Sequence, residues 1–116
     1  MTLGLDPPKT EWTFDDVDEL MAMNPGLRVE LQGGGLLVMP PPDAEHQSII
    51  VRLAVWLMAN GYARRALRGV GVRTGPTTGR IPDLVVFRDE PAGSEIWFEP
   101  AQVLLAVEVI SPSSES

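Results

Sequence analysis

Two carboxylates in this sequence stand inside runs of apolar residues: Asp83 in "IPDLVVF", residues 81–87, and Glu108 in "LLAVEVI", residues 104–110. A charge set into a buried strand is costly unless something pairs with it. Strand side chains alternate, so Ile81, Asp83, Val85 and Phe87 share one face, as do Leu104, Ala106, Glu108 and Ile110. If the two strands are neighbours in register, Asp83 and Glu108 meet near one end of a sheet. Two such carboxylates repel and raise each other's proton affinity. A divalent cation relieves that repulsion, and oxygen ligands of this kind suit Mg²⁺ or Mn²⁺. Pro82 fixes its own φ, lacks an amide donor and biases Ile81 toward an extended shape, which suits the mouth of a strand. Residue types alone leave a second reading open. Asp83 then caps a loop or pairs with an arginine such as Arg80, and Glu108 pairs with Arg73 or Arg88.

The elements that must position these acids follow from patterning. Residues 1–12 are Pro-rich and unpatterned, and read as a flexible N-terminal segment ahead of one domain over 13–116. "TFDDVDELMAM" predicts a helix: Thr13 is a good N-cap, Asp15 and Asp16 suit the helix dipole, and Phe14, Val17, Leu20 and Met21 form one face. Residues 27–31 alternate as a half-buried strand, Gly33, Gly34 and Gly35 supply a tight turn, and residues 36–39 return as the second strand of a hairpin. A second helix begins after Asp43 and carries an apolar stripe of Ile49, Ile50, Leu53, Ala54 and Leu57, with Asn60-Gly61 as its stop. Three strands follow, at about 63–73, 81–88 and 102–110, with "TGPTTG" as a loop between the first two. The last strand is apolar on both faces, which predicts a central place in the sheet. The sum is an α/β or α+β fold.

The chain has 116 residues, 44% hydrophobic and 22% charged, an ordinary composition for one domain. No apolar run approaches the roughly 18–20 residues of a membrane helix, and the N-terminus does not read as a signal peptide. Cysteine is absent, which excludes disulfides, a thiol nucleophile and a cysteine zinc site. A cytoplasmic protein is expected. The net charge of −7 argues against nucleic acid as a partner, but the distribution is uneven: −7 over residues 1–45, +6 over 46–82 and −6 over 83–116. The middle segment holds Arg52, Arg64, Arg65, Arg68, Arg73 and Arg80 with no acid, which is either a basic footprint or a solvated face paired with the acidic flanks.

Taken together, "VELQGGGLLVMPPPDAEHQSIIVRLAVWL", "IPDLVVF" and "LLAVEVISPSS" resemble the Uma family of restriction-endonuclease-like proteins, over roughly residues 13–115. The resemblance implies a PD-(D/E)XK nuclease fold, a mixed β-sheet flanked by helices. It implies that Asp83 and Glu108 ligate Mg²⁺ or Mn²⁺, with the Val109 carbonyl as a third ligand and Glu30 as an additional acid of the catalytic site. His46 and Gln47 fall near the pocket, and Arg73 and Arg80 are candidate contacts to DNA phosphates. The implied activity is metal-assisted hydrolysis of DNA phosphodiester bonds. One departure stands out. The superfamily motif places a lysine two residues after the glutamate, and this sequence has Ile110 there, expected to be buried. In Uma-like sequences that lysine usually moves to a helix after the "SPSS" loop, so a domain incomplete at its C-terminus is expected. Apolar sheet surface left open would favour a homo-oligomer. The alternatives are a catalytically inactive nuclease-like module that binds nucleic acid or a protein partner, and an interaction domain whose acids are structural.

Overall fold

The structure, a computed structural model, describes residues 11–110. Most of the expected flexible segment, and residues 111–116, lie outside those residues. Thr13 opens helix α1 (Phe14–Met23) with a reciprocal cap: its hydroxyl accepts from the Asp16 amide, and the Asp16 carboxylate accepts from the Thr13 amide. The chain then forms the expected hairpin, β1 (Arg28–Gln32) and β2 (Gly35–Met39), with Gly33 and Gly34 at φ +58° and +84° in the turn. Helix α2 (Ala44–Leu57) follows, capped by the Asp43 carboxylate accepting from the His46 amide. It unwinds through a wide turn at Met58–Tyr62, where Gly61 takes φ +94°.

Six short strands follow among the described residues: β3 (Ala66–Leu67), β4 (Gly71–Gly75), β5 (Thr78–Arg80), β6 (Leu84–Phe87), β7 (Trp97–Phe98) and β8 (Val103–Val107). They make an α+β fold with two sheets, ordered β2-β1-β5-β4-β7 and β3-β6-β8. Only the β4–β7 pair is parallel.

The alternation of β1 decides what faces what. Val29 and Leu31 turn to one side and pack with Phe14 and Val17 of α1. Arg28 and Glu30 therefore turn to the other side, toward the second sheet. In that sheet all four residues of β6 are buried. Leu84 and Val86 pack under Leu57 of α2, while Val85 and Phe87 pack with Val70, Val72 and Phe98. Side chains so placed contribute about 1.5–3 kcal/mol each relative to exposure, which makes β6 the rigid strand against which the site is built.

Four expectations need correction. The strand expected at 63–73 is two strands in different sheets, because Arg68 and Gly69 (φ +73°) break it. The expected loop at 74–79 is a tight hairpin between β4 and β5. Strand β8 is not central: it lies at the edge of its sheet, with Leu104 and Leu105 about half exposed, and β6 takes the central place. A strand apolar on both faces signals burial but does not say which neighbour supplies it. On α2, Ile50 and Leu57 are buried, whereas Ile49 is exposed, as are Val51, Val55 and Trp56. The Trp12 amide donates to the Gly34 carbonyl at 2.7 Å. No helix among the described residues is long and apolar enough to cross a membrane.

Candidate metal centre

Strands β6 and β8 are antiparallel, with Leu84 opposite Val107. One more step in that register places Asp83 opposite Glu108, each just outside its strand. The meeting expected from alternation is therefore realised, at the sheet end nearest α2 and β1. Asp83 is 4% exposed and both its oxygens are engaged. Arg28 Nη1 donates to Oδ1 at 2.6 Å, and the Val109 amide donates to Oδ2 at 2.7 Å. His46 Nε2 lies 2.9 Å from Oδ1 without the alignment of a directed hydrogen bond. Burial alone would raise the proton affinity of Asp83. The contacts from His46, the Val109 amide and Arg28 outweigh it and hold the carboxyl below the usual aspartate value.

Glu108 goes the other way. Loss of hydration pushes its proton affinity up, the negative charges of Asp83 and Glu30 push it further, and Arg28 and Arg80 offset this only in part. The residue as a whole stays exposed, so this dehydration is partial. Among the described residues it forms no ion pair, neither with Arg73 nor with Arg88. Glu30, 1% exposed, is the third acid. Its Oε2 accepts from the Ile81 amide at 2.7 Å, which ties β1 to the segment leading into Asp83. Its Oε1 faces Arg80 Nε at 3.7 Å, too far for a hydrogen bond, and is buried without a partner.

Three carboxylates thus gather around two guanidinium groups and one imidazole. Beside them a cleft of about 430 Å³ opens between the proline loop at 40–42 and residues 108–110, with Arg28 and His46 in its wall. The first turn of α2 delivers His46 to this place. Gln47 stays outside: it is exposed, and its amide donates to the Pro42 carbonyl, bracing the loop. Arg73 belongs to another surface, its guanidinium 4.2 Å from the centre of the Phe14 ring. Val109 contributes its amide to Asp83. Ile110 is 64% exposed at the cleft, not buried, so its failure as a lysine substitute is one of chemistry and not of access.

Asp83 does pair with an arginine, but the partner is Arg28 and not Arg80. Hydrophobic alternation over residues 27–31 does not by itself single out Arg28 as that partner. The signal was present: it lies two residues before Glu30, so the same alternation that turns Glu30 inward turns Arg28 with it.

As a donor set, these residues suit a hard divalent cation in kind: three carboxylates, one with an orphaned buried oxygen, and mutual repulsion felt at Glu108. Their arrangement is that of a cluster already holding a cation, because Arg28 occupies Oδ1 of Asp83. Among the described residues no three His, Asp or Glu side chains stand close enough together to hold a metal ion as they are.

Residues 14–116 match the model of a protein family, Uma2, whose description reads "Putative restriction endonuclease". No curated protein and no solved structure matches the chain.

Proposed function

Since the chain belongs to the Uma2 family, we propose that it is a divalent-metal-dependent endonuclease acting on DNA phosphodiester bonds. The observation that carries this reading is the convergence of Glu30, Asp83 and Glu108, the last of them lining an open cleft, with one buried carboxylate oxygen left without a hydrogen-bond donor. Asp83 and Glu108 would hold Mg²⁺ or Mn²⁺, with the Val109 carbonyl as a third ligand and Glu30 as an additional acid beside them. When bound, such an ion stabilises charge on the phosphate and lowers the pKa of an attacking water. The chain's own groups do the rest. Strand β6 fixes the position of Asp83, and the Ile81 amide fixes that of Glu30. Arg80, more than half exposed beside Glu30, and His46 in the cleft wall offer donors to a DNA phosphate.

The basic middle segment supports DNA binding only in part, because Arg73 is stacked elsewhere and Arg64 faces Glu90 at 4.0 Å. Self-association belongs to the same proposal. It is supported by the exposed apolar side chains of α2 and β8, and a sedimentation profile that stays monomeric at every concentration would count against it.

A second reading is favoured by two specific observations. Asp83 is saturated by protein donors, and an isoleucine stands two residues after Glu108. These suit a nuclease-like module that binds without cleaving. Incubation of supercoiled plasmid with the chain and Mn²⁺ separates the two. Nicking that disappears in Asp83→Asn supports the nuclease. Salt-sensitive DNA retention with no nicking in wild type supports the binding module.

A further inference from the structure

Arg28 is held in a way that suits a removable cation better than a permanent brace. A guanidinium offers five donors in a rigid fork that matches a carboxylate through two parallel bonds. Here the fork grips Asp83 through Nη1 alone. Its Nη2 reaches only the Met39 thioether, at 3.6 Å, and its Nε is buried with no partner. A thioether is a weak acceptor. The cation nearest the acid cluster is therefore also one of its least satisfied groups.

Position points the same way. The two groups that touch Asp83 Oδ1, Arg28 and His46, both line the cleft beside Glu108, whereas Asp83 does not. Asp83 borders a second cavity, of about 390 Å³, and Arg28 borders that one too. The Arg28 side chain is 23% exposed, so it has a way out into solvent that the Asp83 side chain, at 1%, lacks. A guanidinium stays protonated at any ordinary pH, so it cannot give way by losing its charge. A divalent ion on Oδ1 would sit within a few ångströms of it, and two cations so placed repel strongly.

We propose that Arg28 is the resident counter-ion of the acid cluster, and that a divalent cation binds Asp83 only by displacing it. Arg28 thereby sets the metal affinity of the site. This inference rests on the metal-centre reading above. It assigns to Arg28 a role opposite to that of a structural brace: removing it loosens the metal-free protein but frees a ligand for the ion.

The test is calorimetric titration of Mn²⁺ into wild type, Arg28→Met and Arg28→Lys, with the melting temperature of each in chelator. Arg28→Met is expected to melt lower without metal and yet bind Mn²⁺ roughly tenfold more tightly, the factor that about 1.4 kcal/mol of charge-assisted hydrogen bond would give. Arg28→Lys, which keeps the charge, is expected to stay close to wild type. If wild type binds Mn²⁺ and Arg28→Met binds it equally or more weakly, Arg28 braces the ligands and this inference alone fails. If neither binds, the metal-centre reading fails and takes the inference with it. Should Arg28→Met not fold, the wild-type chain decides by nitrogen-15 spectroscopy. The guanidinium resonances of Arg28 are expected to shift in step with Mg²⁺ saturation, and resonances that stay fixed through saturation overturn the displacement.

Discussion

Two regions of this molecule are built from similar parts and finished differently. In one, an aromatic pair, Phe14 and Trp97, meets edge to face with ring centres 4.8 Å apart. Trp97 Nε1 donates to Asp18 at 2.7 Å, and Arg73 lies over the Phe14 ring. Gly79 lies beneath both rings, where any Cβ would collide with them. Arginine, acid and aromatic ring all have partners there. In the other, Arg28 Nε is buried with no hydrogen-bond partner, and the buried Glu30 Oε1 and His46 Nε2 meet only a distant Arg80 at 3.7 Å and a misaligned Asp83 at 2.9 Å. Buried polar groups are nearly always satisfied, and those left over tend to mark function and not architecture. The contrast teaches that the acid cluster is the region the fold supports without completing.

The comparison breaks first if the aromatic region is not the braced one. Phe14→Ala is expected to destabilise by about 3–5 kcal/mol, measured by urea denaturation, because it empties a site between α1, Gly79 and Trp97. A loss below about 1 kcal/mol would mean the two regions do not differ as described.

Asp83→Asn comes next, at about 2–3 kcal/mol, since it leaves Arg28 facing a neutral amide in a partly buried place. Part of that loss is pH-dependent, with a definite sign. The folded proton affinity of Asp83 lies below its ordinary value of 3.8. Its stabilising contribution is therefore present above 3.8 and lost as pH falls through the lower folded value. Melting curves against pH are expected to show the gap between wild type and Asp83→Asn closing below that value. A gap of constant width down to the acid limit would mean the carboxylate is not held by its charge.

The smallest effect has the opposite direction. Glu108 takes up a proton more readily than an ordinary glutamate, so its contribution is present below 4.5 and lost as pH rises past its raised folded value. At neutral pH Glu108→Gln is expected to stabilise the metal-free protein by up to about 0.5 kcal/mol, discounted because the carboxyl keeps solvent contact. Destabilisation instead would mean that Glu108 is a partnered structural acid.

Much of this arrangement was readable before the fold. Thr13 and Asp43 announce their helices through capping chemistry, which is local and therefore visible in sequence. The hairpin of β1 and β2 follows from glycines between two apolar runs. Asp83 and Glu108 were found because a charge in an apolar run is an anomaly that demands a partner. What escaped depends on distance along the chain. The burial of β6 and the edge position of β8 are decided by which strands pair, and β8 reads as more buried than it is. For Arg28 the alternation shared with Glu30 announces only an inward turn: its contact with Asp83 spans 55 residues, and no local pattern names that partner. Arg73 looked like a neighbour of the site by charge and is not, because the aromatic region claims it.

The most direct test of the acid cluster as a metal site is calorimetric titration of Mn²⁺ into wild type beside Asp83→Asn and Glu108→Gln. Saturable binding to wild type that is lost in both variants is the expected result. Absence of binding to wild type, or binding that survives both substitutions, would contradict it and leave the cluster as a buried ion pair with an acidic neighbour.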